Sequence, residues 1–200
     1  MNALKKSTLK TKGLLVAASM LASGSVLAHP GHEQASSFMT GFAHPMGGLD
    51  HLLAMVAIGL WAASIGGRAL WAIPAAFVVT MLLGGGLAVA GLNVPFVEQG
   101  ILLSVIVLGA LVLFAKRLPT AVCVAIAGGF ALFHGAAHGM EMPLNANGLQ
   151  YALGFALATA SLHLVGLGLG QLMTKIGTSS FATRISGFVI ATAGLLLAFV

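Results

Sequence analysis

The chain has 200 residues, of which 58% are hydrophobic and only 6% are charged, and its mean hydropathy is +1.04. A water-soluble domain of this size would carry far more charged surface, so the composition excludes that class. The net charge of +5 does not indicate nucleic-acid binding, because the basic residues lie near the N-terminus and at the ends of apolar segments. A single cysteine excludes a disulfide framework within the chain. The composition therefore indicates an integral membrane protein.

Residues 1–28 have the pattern of a secretory signal peptide. Lysines precede a short apolar core, and small residues lead up to the end of the segment. Cleavage there would leave a periplasmic tail, residues 29–38, that carries His29, His32 and Glu33. Either this tail gathers metal ions or it is only a spacer. An uncleaved first transmembrane helix is the alternative interpretation of the leading segment.

Six apolar segments follow, most of them about long enough to cross a bilayer core of roughly 30 Å. Their hydrophobicity is continuous rather than alternating, which favours helices over the strands of a barrel. The predicted fold class is therefore all-α, a polytopic bundle of six transmembrane helices over residues 39–200. The predicted spans are residues 40–65, 69–91, 100–115, 118–139, 148–173 and 181–200.

The charges between the spans predict the orientation of the bundle. Basic residues follow the odd-numbered spans, namely Arg68, Lys116, Arg117, Lys175 and Arg184. Acidic residues outside the spans lie on the opposite side, namely Glu33, Glu98 and Glu141. Because positive loops mark the cytoplasm, we expect a bacterial cytoplasmic-membrane protein whose mature N-terminus and C-terminus are both periplasmic.

Ionisable residues inside a membrane are costly and generally mark a function. The first span carries His44, Asp50 and His51, and its Pro45 and Gly47-Gly48 predict a broken helix, a device that lines polar sites in transporters.

A second group stands in the stretch FHGAAHGME, at the end of the fourth span. His134, His138 and Glu141 follow the spacing i, i+4 and i+7, which puts all three on one helix face. The orientation of the spans brings both groups into the outer half of the membrane. His163, alone in the fifth span, is more typical of a helix-packing residue.

Imidazole and carboxylate together favour a first-row divalent ion such as nickel, cobalt or zinc. The carboxylates either bind the ion directly or fix the tautomer of a ligating histidine. A bis-histidine haem site would leave His44, Asp50 and Glu141 without a role. The main alternative is an intramembrane zinc-dependent hydrolase with Asp50 or Glu141 as general base, although the sequence has no H-E-x-x-H motif and no serine placed as a nucleophile near the clusters. A metal sensor would need a signalling domain that this short chain does not show.

These residues resemble the signatures of the HupE/UreJ family of nickel permeases. His44 to His51 matches H-x5-D-H, and Phe133 to Glu141 matches FHG-x-A-HG-x-E. The resemblance covers the whole chain, including the leader and the six spans. It carries over His44, Asp50, His51, His134, His138 and Glu141 as metal-site residues, whereas the tail and His163 lie outside both signatures.

The resemblance implies a permease rather than an enzyme. Its substrate would be Ni²⁺, with Co²⁺ or Zn²⁺ as alternatives, imported for hydrogenase or urease maturation and without an organic cofactor. We expect the ion to meet His138 and His134 first and then His44, His51 and Asp50, with His163 as a later relay. The expected surroundings are membrane lipid and nickel-enzyme maturation proteins. A homo-oligomer is compatible with the pattern, and nucleic acid is not an expected partner.

Overall fold

The computed structural model describes residues 36–115, 117–177 and 179–199, and over these residues the chain is all-helical. The predicted signal peptide, most of the tail with His29, His32 and Glu33, and Lys116 lie outside the described residues. The helices are α1 (Ser37–Gly47), α2 (Leu49–Ile65), α3 (Ala69–Val89), α4 (Val97–Phe114), α5 (Thr120–Met140), α6 (Gly148–Lys175) and α7 (Ser179–Leu197).

Four of these helices, α3 to α6, are long and apolar enough to cross a membrane. The pair α1 and α2 qualifies as a fifth span if it is counted as one broken segment, and the apolar part of α7 is shorter. The described helices thus confirm an all-α protein with several membrane-spanning candidates.

The surface of the bundle is apolar, as contact with lipid requires. Large hydrophobic side chains stand exposed along the helices, with Trp71, Leu83 and Leu164 each more than half accessible. Such a continuous apolar surface is not found on soluble monomers. The interior, in contrast, contains four buried histidines. This inversion of the usual polarity identifies the protein as membrane-embedded.

The first predicted span is broken, as its proline and glycines predicted. α1 and α2 meet at an angle of 85°, and Gly48 between them has an extended backbone (φ −105°, ψ 125°). Pro45 lies in the last turn of α1. Because proline has no backbone N–H, it cannot donate the helical hydrogen bond to the carbonyl of Gly41, and the helix ends soon after it. The break reorients the chain between His44 and Asp50.

α1 is held against the start of α6 by close backbone contacts. Gly41 abuts the backbone of Tyr151, and Gly154 abuts that of Phe38. A side chain at either glycine would collide with the facing helix. The Ser37 hydroxyl also accepts a hydrogen bond from the backbone N–H of Asn147, at 2.8 Å. These contacts fix α1 over the ends of the neighbouring helices.

Candidate metal site

Two chain segments deliver the polar residues of the site to one end of the bundle. Asp50 and His51 lie in the first turn of α2, directly after the break, and His44 lies near the end of α1. α5 contributes His134 and His138 near its C-terminus. Glu141, the sixth residue, caps that helix, as its backbone N–H donates to the carbonyl of Ala137 at 3.0 Å. The structure therefore brings together all six residues singled out by the two sequence signatures.

Four of the imidazole rings form a continuous row. The ring centroids of His44 and His138 lie 4.7 Å apart, those of His138 and His51 lie 4.4 Å apart, and those of His51 and His134 lie 4.7 Å apart. We call these four residues the histidine row.

The row runs from an exposed end to a fully buried end. The side chain of His44 is 31% exposed, whereas that of His138 is 4% exposed and His134 is completely buried. The order of contact expected from the sequence is therefore wrong in one respect: His44 is the outermost member and His134 the innermost. The broken helix explains the difference, because α1 folds back over the site instead of continuing the line of α2.

A cavity of about 270 Å³ opens on the exposed end of the row. We call it the histidine cavity, and it is lined by His44, Gly47, Gly48, Asp50, His51, Glu98, Ala137, His138 and Glu141. Glu98 thus joins the site from α4. Three carboxylates around one cavity, with no lysine or arginine among its lining residues, create a local field that attracts cations.

The carboxylates of Asp50 and Glu141 each hold one ring nitrogen of a histidine. Asp50 Oδ1 lies 3.0 Å from His51 Nδ1 and also accepts the His51 backbone N–H at 2.7 Å. Glu141 Oε2 lies 2.7 Å from His44 Nε2. An ionised carboxylate only accepts hydrogen bonds, so the proton lies on the imidazole nitrogen. The other nitrogen of each ring, His51 Nε2 and His44 Nδ1, is then left with its lone pair, as a metal ligand requires.

Ser104 fixes the proton of His134 on one ring nitrogen in the same way. Its hydroxyl lies 2.6 Å from the carbonyl oxygen of Ile101, which can only accept, and 2.8 Å from His134 Nε2. The single hydroxyl proton is used on the carbonyl, so Ser104 Oγ accepts from His134 Nε2–H. His134 Nδ1, which no described residue hydrogen-bonds, therefore carries the lone pair.

No sequence signal indicated Ser104, whose hydroxyl contacts His134 Nε2. Ser104 lies in the middle of an apolar helix, and only the pairing of α4 with α5 places it beside a histidine. Its hydroxyl is not activated as a nucleophile, because it gives its proton to a backbone carbonyl and receives one from the imidazole.

His138 occupies the centre of the row and differs from its neighbours. It is buried, and neither of its ring nitrogens has a hydrogen-bond partner among the described residues. An unsatisfied buried imidazole is destabilising by roughly 1–3 kcal/mol, so its retention points to a ligand. Potential ligand atoms of His44, His138 and Glu141 all lie within 4.8 Å of one another, close enough to surround one ion.

His163 lies apart from the row, on α6, as the sequence predicted. It is fully buried, and within the described part of the chain no hydrogen-bond partner reaches either ring nitrogen. Phe77 stands between the row and this residue: its ring centroid is 5.5 Å from that of His134 and 5.2 Å from that of His163. No sequence signal indicated Phe77, which reads as an ordinary apolar residue of the second span.

Comparison with known proteins decides the family. The model of the HupE / UreJ protein family matches residues 16–197. The chain is also 44% identical, over 164 residues, to Protein HupE of Rhizobium leguminosarum bv. viciae, an alignment that covers 82% of this chain and 85% of that protein. The chain belongs to the HupE/UreJ family. No solved structure matches it.

Membership of the HupE/UreJ family confirms the resemblance based on the two signatures. It indicates transport of a transition metal ion, nickel or cobalt, rather than enzymatic catalysis. In this HupE/UreJ chain, the donor set is suited to such a substrate, because it consists of imidazoles supported by oxygen atoms.

Proposed function

We propose that the protein is a nickel permease of the bacterial cytoplasmic membrane, which brings Ni²⁺ from the periplasm into the cytoplasm for hydrogenase or urease maturation. The observation that carries this proposal is the histidine row, which starts at an exposed carboxylate-lined cavity and ends at a buried ring. A purely structural cluster would hydrogen-bond its nitrogens internally, whereas here each ring leaves at least one nitrogen free for a ligand.

The row explains how a hydrated cation enters an apolar bundle. Glu98 and Glu141 attract it into the histidine cavity, where His44, His138 and Glu141 replace part of its water. Because His138 lies beside both His44 and His51, the ion moves one ring inward by exchanging one ligand at a time. Stepwise exchange avoids the cost of a bare ion at membrane depth.

Asp50 and Ser104 act in this scheme as supports rather than as direct ligands. They hold the protons of His51 and His134 on the nitrogens that face away from the ion, which keeps the remaining lone pairs available. The other nitrogen of each of these two rings is thereby left to face the ion.

The distribution of charge supports the proposed orientation of the histidine cavity in the membrane. The histidine cavity, with Glu98 and Glu141, lies at one end of the bundle. The described basic residues lie at the other, at Arg68, Arg117, Lys175 and Arg184. Positive residues face the cytoplasm, so the cavity opens to the periplasm. A cleaved signal peptide over residues 1–28 and six spans, with α1 and α2 as the first and α7 as the last, complete this topology.

Uptake of radioactive nickel into liposomes that contain the purified protein tests the proposal. We expect rapid nickel uptake that is lost in the variant carrying both His51→Ala and His138→Ala, with Ser161→Ala, a change of a half-buried residue of α6 outside the histidine row, as a control. Competition by unlabelled cobalt and zinc then shows the order in which the protein prefers the three ions. Tight metal binding without uptake would refute the permease and favour the intramembrane hydrolase.

A further inference from the structure

Two pairs of helices pack through the same kind of backbone contact. In the first pair, α2 and α6, Gly59 lies against the carbonyl of His163 and the backbone N of Leu167. One turn away, Gly166 lies against the carbonyl of Val56. The two helices run parallel, because Gly166 meets Val56 and Gly59 while Gly170, four residues further on, meets Leu60 and Ala63.

The second pair, α5 and α3, repeats this arrangement residue by residue. Gly135 lies against the carbonyl of Met81 and the backbone N of Gly85, and Gly84 lies against the carbonyl of Leu132. These two helices also run parallel.

The two sets of contacts coincide when α2 is exchanged with α5 and α3 with α6. Gly59 then corresponds to Gly135 and Val56 to Leu132, with the same difference in residue number. Between α3 and α6, Met81 corresponds to His163, while Gly84 and Gly85 correspond to Gly166 and Leu167, again with one constant difference. These correspondences involve no gap within a helix.

Side-chain contacts obey the same exchange. The ring of Phe77 packs on the ring of His163, with centroids 5.2 Å apart, and the hydroxyl of Thr159 contacts the sulfur of Met81 at 3.6 Å. The exchange that relates Met81 to His163 also relates Phe77 to Thr159, so these two contacts are counterparts.

The remaining pair, α4 and α7, contains one helix from each half, and the exchange maps each of these helices onto the other. Gly109 lies against the backbone of Ala191, and Gly187 lies against that of Leu113. Exchange of the two helices turns the first contact into the second. All three pairs therefore obey one pseudo-two-fold relation between the halves α2–α4 and α5–α7.

This relation is an inversion across the membrane. α2 starts at the histidine cavity, whereas its counterpart α5 ends there. The pseudo-two-fold axis therefore lies in the membrane plane, as in transporters that are built from inverted repeats.

The inverted relation places the counterpart of Glu141, which lines the histidine cavity, at Ile65, at the other end of the bundle. A cavity of about 330 Å³ lies there, and we call it the hydroxyl cavity. It is lined by Ala63, Ser64, Ile65, Ala115, Arg117, Gly170, Thr174 and Thr183. It involves the ends of α2, α4 and α6, and so lies at the end of the bundle opposite to the starts of α2 and α4 that line the histidine cavity.

The two cavities differ in the residues that bind cations. His138 and Glu141 on α5 correspond to Ala62 and Ile65 on α2, which offer no ligand atom in their side chains. α1, which carries His44, has no helical counterpart, since the described residues just before α5 form no helix. Arg117 adds a positive charge to the hydroxyl cavity. One end of the bundle is thus built to capture a cation and the other to repel it.

We propose that the hydroxyl cavity is the site from which the cation is released, and that the two inverted halves exchange conformations to open the two cavities in turn. The inference rests on the proposed permease function. A release site without cation ligands suits transport, because an ion that is held tightly at the exit does not leave.

Single cysteines in full-length protein test the proposal, with Cys123→Ala, which removes the chain's one cysteine, as the parent. Thr174→Cys lies in the hydroxyl cavity, Ala137→Cys lies in the histidine cavity, and Leu172→Cys is exposed on α6 but lines neither. Each variant is treated with a membrane-impermeant maleimide in right-side-out and inside-out vesicles, and nickel uptake is measured before and after.

We expect the maleimide to label Thr174→Cys and Ala137→Cys from opposite faces of the membrane. Labelling of Thr174→Cys should lower nickel uptake by more than about tenfold, because the adduct fills the exit, and treatment of Leu172→Cys should leave uptake unchanged. If Thr174→Cys does not insert, Ser64→Cys reports on the same cavity from α2.

Labelling of both cysteines from the same face would overturn the placement of the two cavities on opposite sides of the membrane, and with it their opening in turn. Labelling of Thr174→Cys without loss of uptake would overturn the release site. If the parent takes up no nickel in liposomes, the permease function itself fails, while the sidedness of labelling still tests the placement of the two cavities.

Discussion

Replacement of His138 by alanine provides the sharpest contrast with a matched control. His138 lies beside both His44 and His51, with ring centroids 4.7 and 4.4 Å away, so its loss interrupts the histidine row. His163 resembles it in burial and in having ring nitrogens that no described residue hydrogen-bonds, yet it lies outside the row. The two alanine variants should therefore lose similar folding stability and differ in transport.

The expected effect of His138→Ala can be worked out from its position. An ion that loses one imidazole in a dry environment loses on the order of 3 kcal/mol of stabilisation. If this loss raises the transport barrier, the initial rate of nickel uptake falls about 100-fold. His163→Ala should lower the rate by about threefold or less, because His163 lies outside the row and its loss affects only helix packing.

Both variants are assayed as initial rates of nickel uptake in liposomes, normalised to inserted protein. Thermal unfolding in detergent checks that the two have comparable stability. Equal losses of uptake in the two variants, or a rate for His138→Ala within a few-fold of the unmodified protein, would refute the reasoning.

Three further outcomes are expected. Ser104→Ala removes the acceptor that fixes the His134 tautomer and should weaken nickel binding about 10- to 100-fold in a titration, whereas Ser104→Thr, which keeps the hydroxyl, should not. Replacement of His29 and His32 by alanine should lower uptake at scarce nickel but preserve the maximal rate, if the tail gathers metal; an equal loss at saturating nickel would place the tail in the permeation path. A reporter active only in the periplasm and fused after Val200 should be active, and a cytoplasmic result would contradict the six-span topology.

The sequence alone located most of the site because of the membrane setting. Ionisable residues are rare in apolar spans, so His44, Asp50, His51, His134 and His138 stood out by composition. Helical spacing and the alternation of spans were then enough to predict that the two groups meet. The break after Pro45 was also predictable, since proline and glycine act through local backbone geometry.

Contacts between distant helices were not predictable in the same way. Ser104 and Phe77 look like ordinary residues of apolar spans, and only the pairing of helices places them beside His134 and His163. The order of the histidine row depended on the 85° turn between α1 and α2, whose size no sequence pattern gives.

The inverted relation between the halves was invisible for a related reason. In sequence, Met81 and His163 or Phe77 and Thr159 have nothing in common. They correspond only through the backbone contacts around Gly59 and Gly135. The polar residues that drew attention to the site are the ones at which the two halves differ.

Nickel K-edge X-ray absorption of the purified protein loaded with nickel tests most directly whether the histidine row binds the transported ion. We expect nitrogen and oxygen ligands with the outer-shell scattering of imidazole, and a loss of most of that scattering in the variant with both His51→Ala and His138→Ala. An imidazole signal of the same strength in that variant, or a spectrum without imidazole in the unmodified protein, would contradict the histidine row as the binding site.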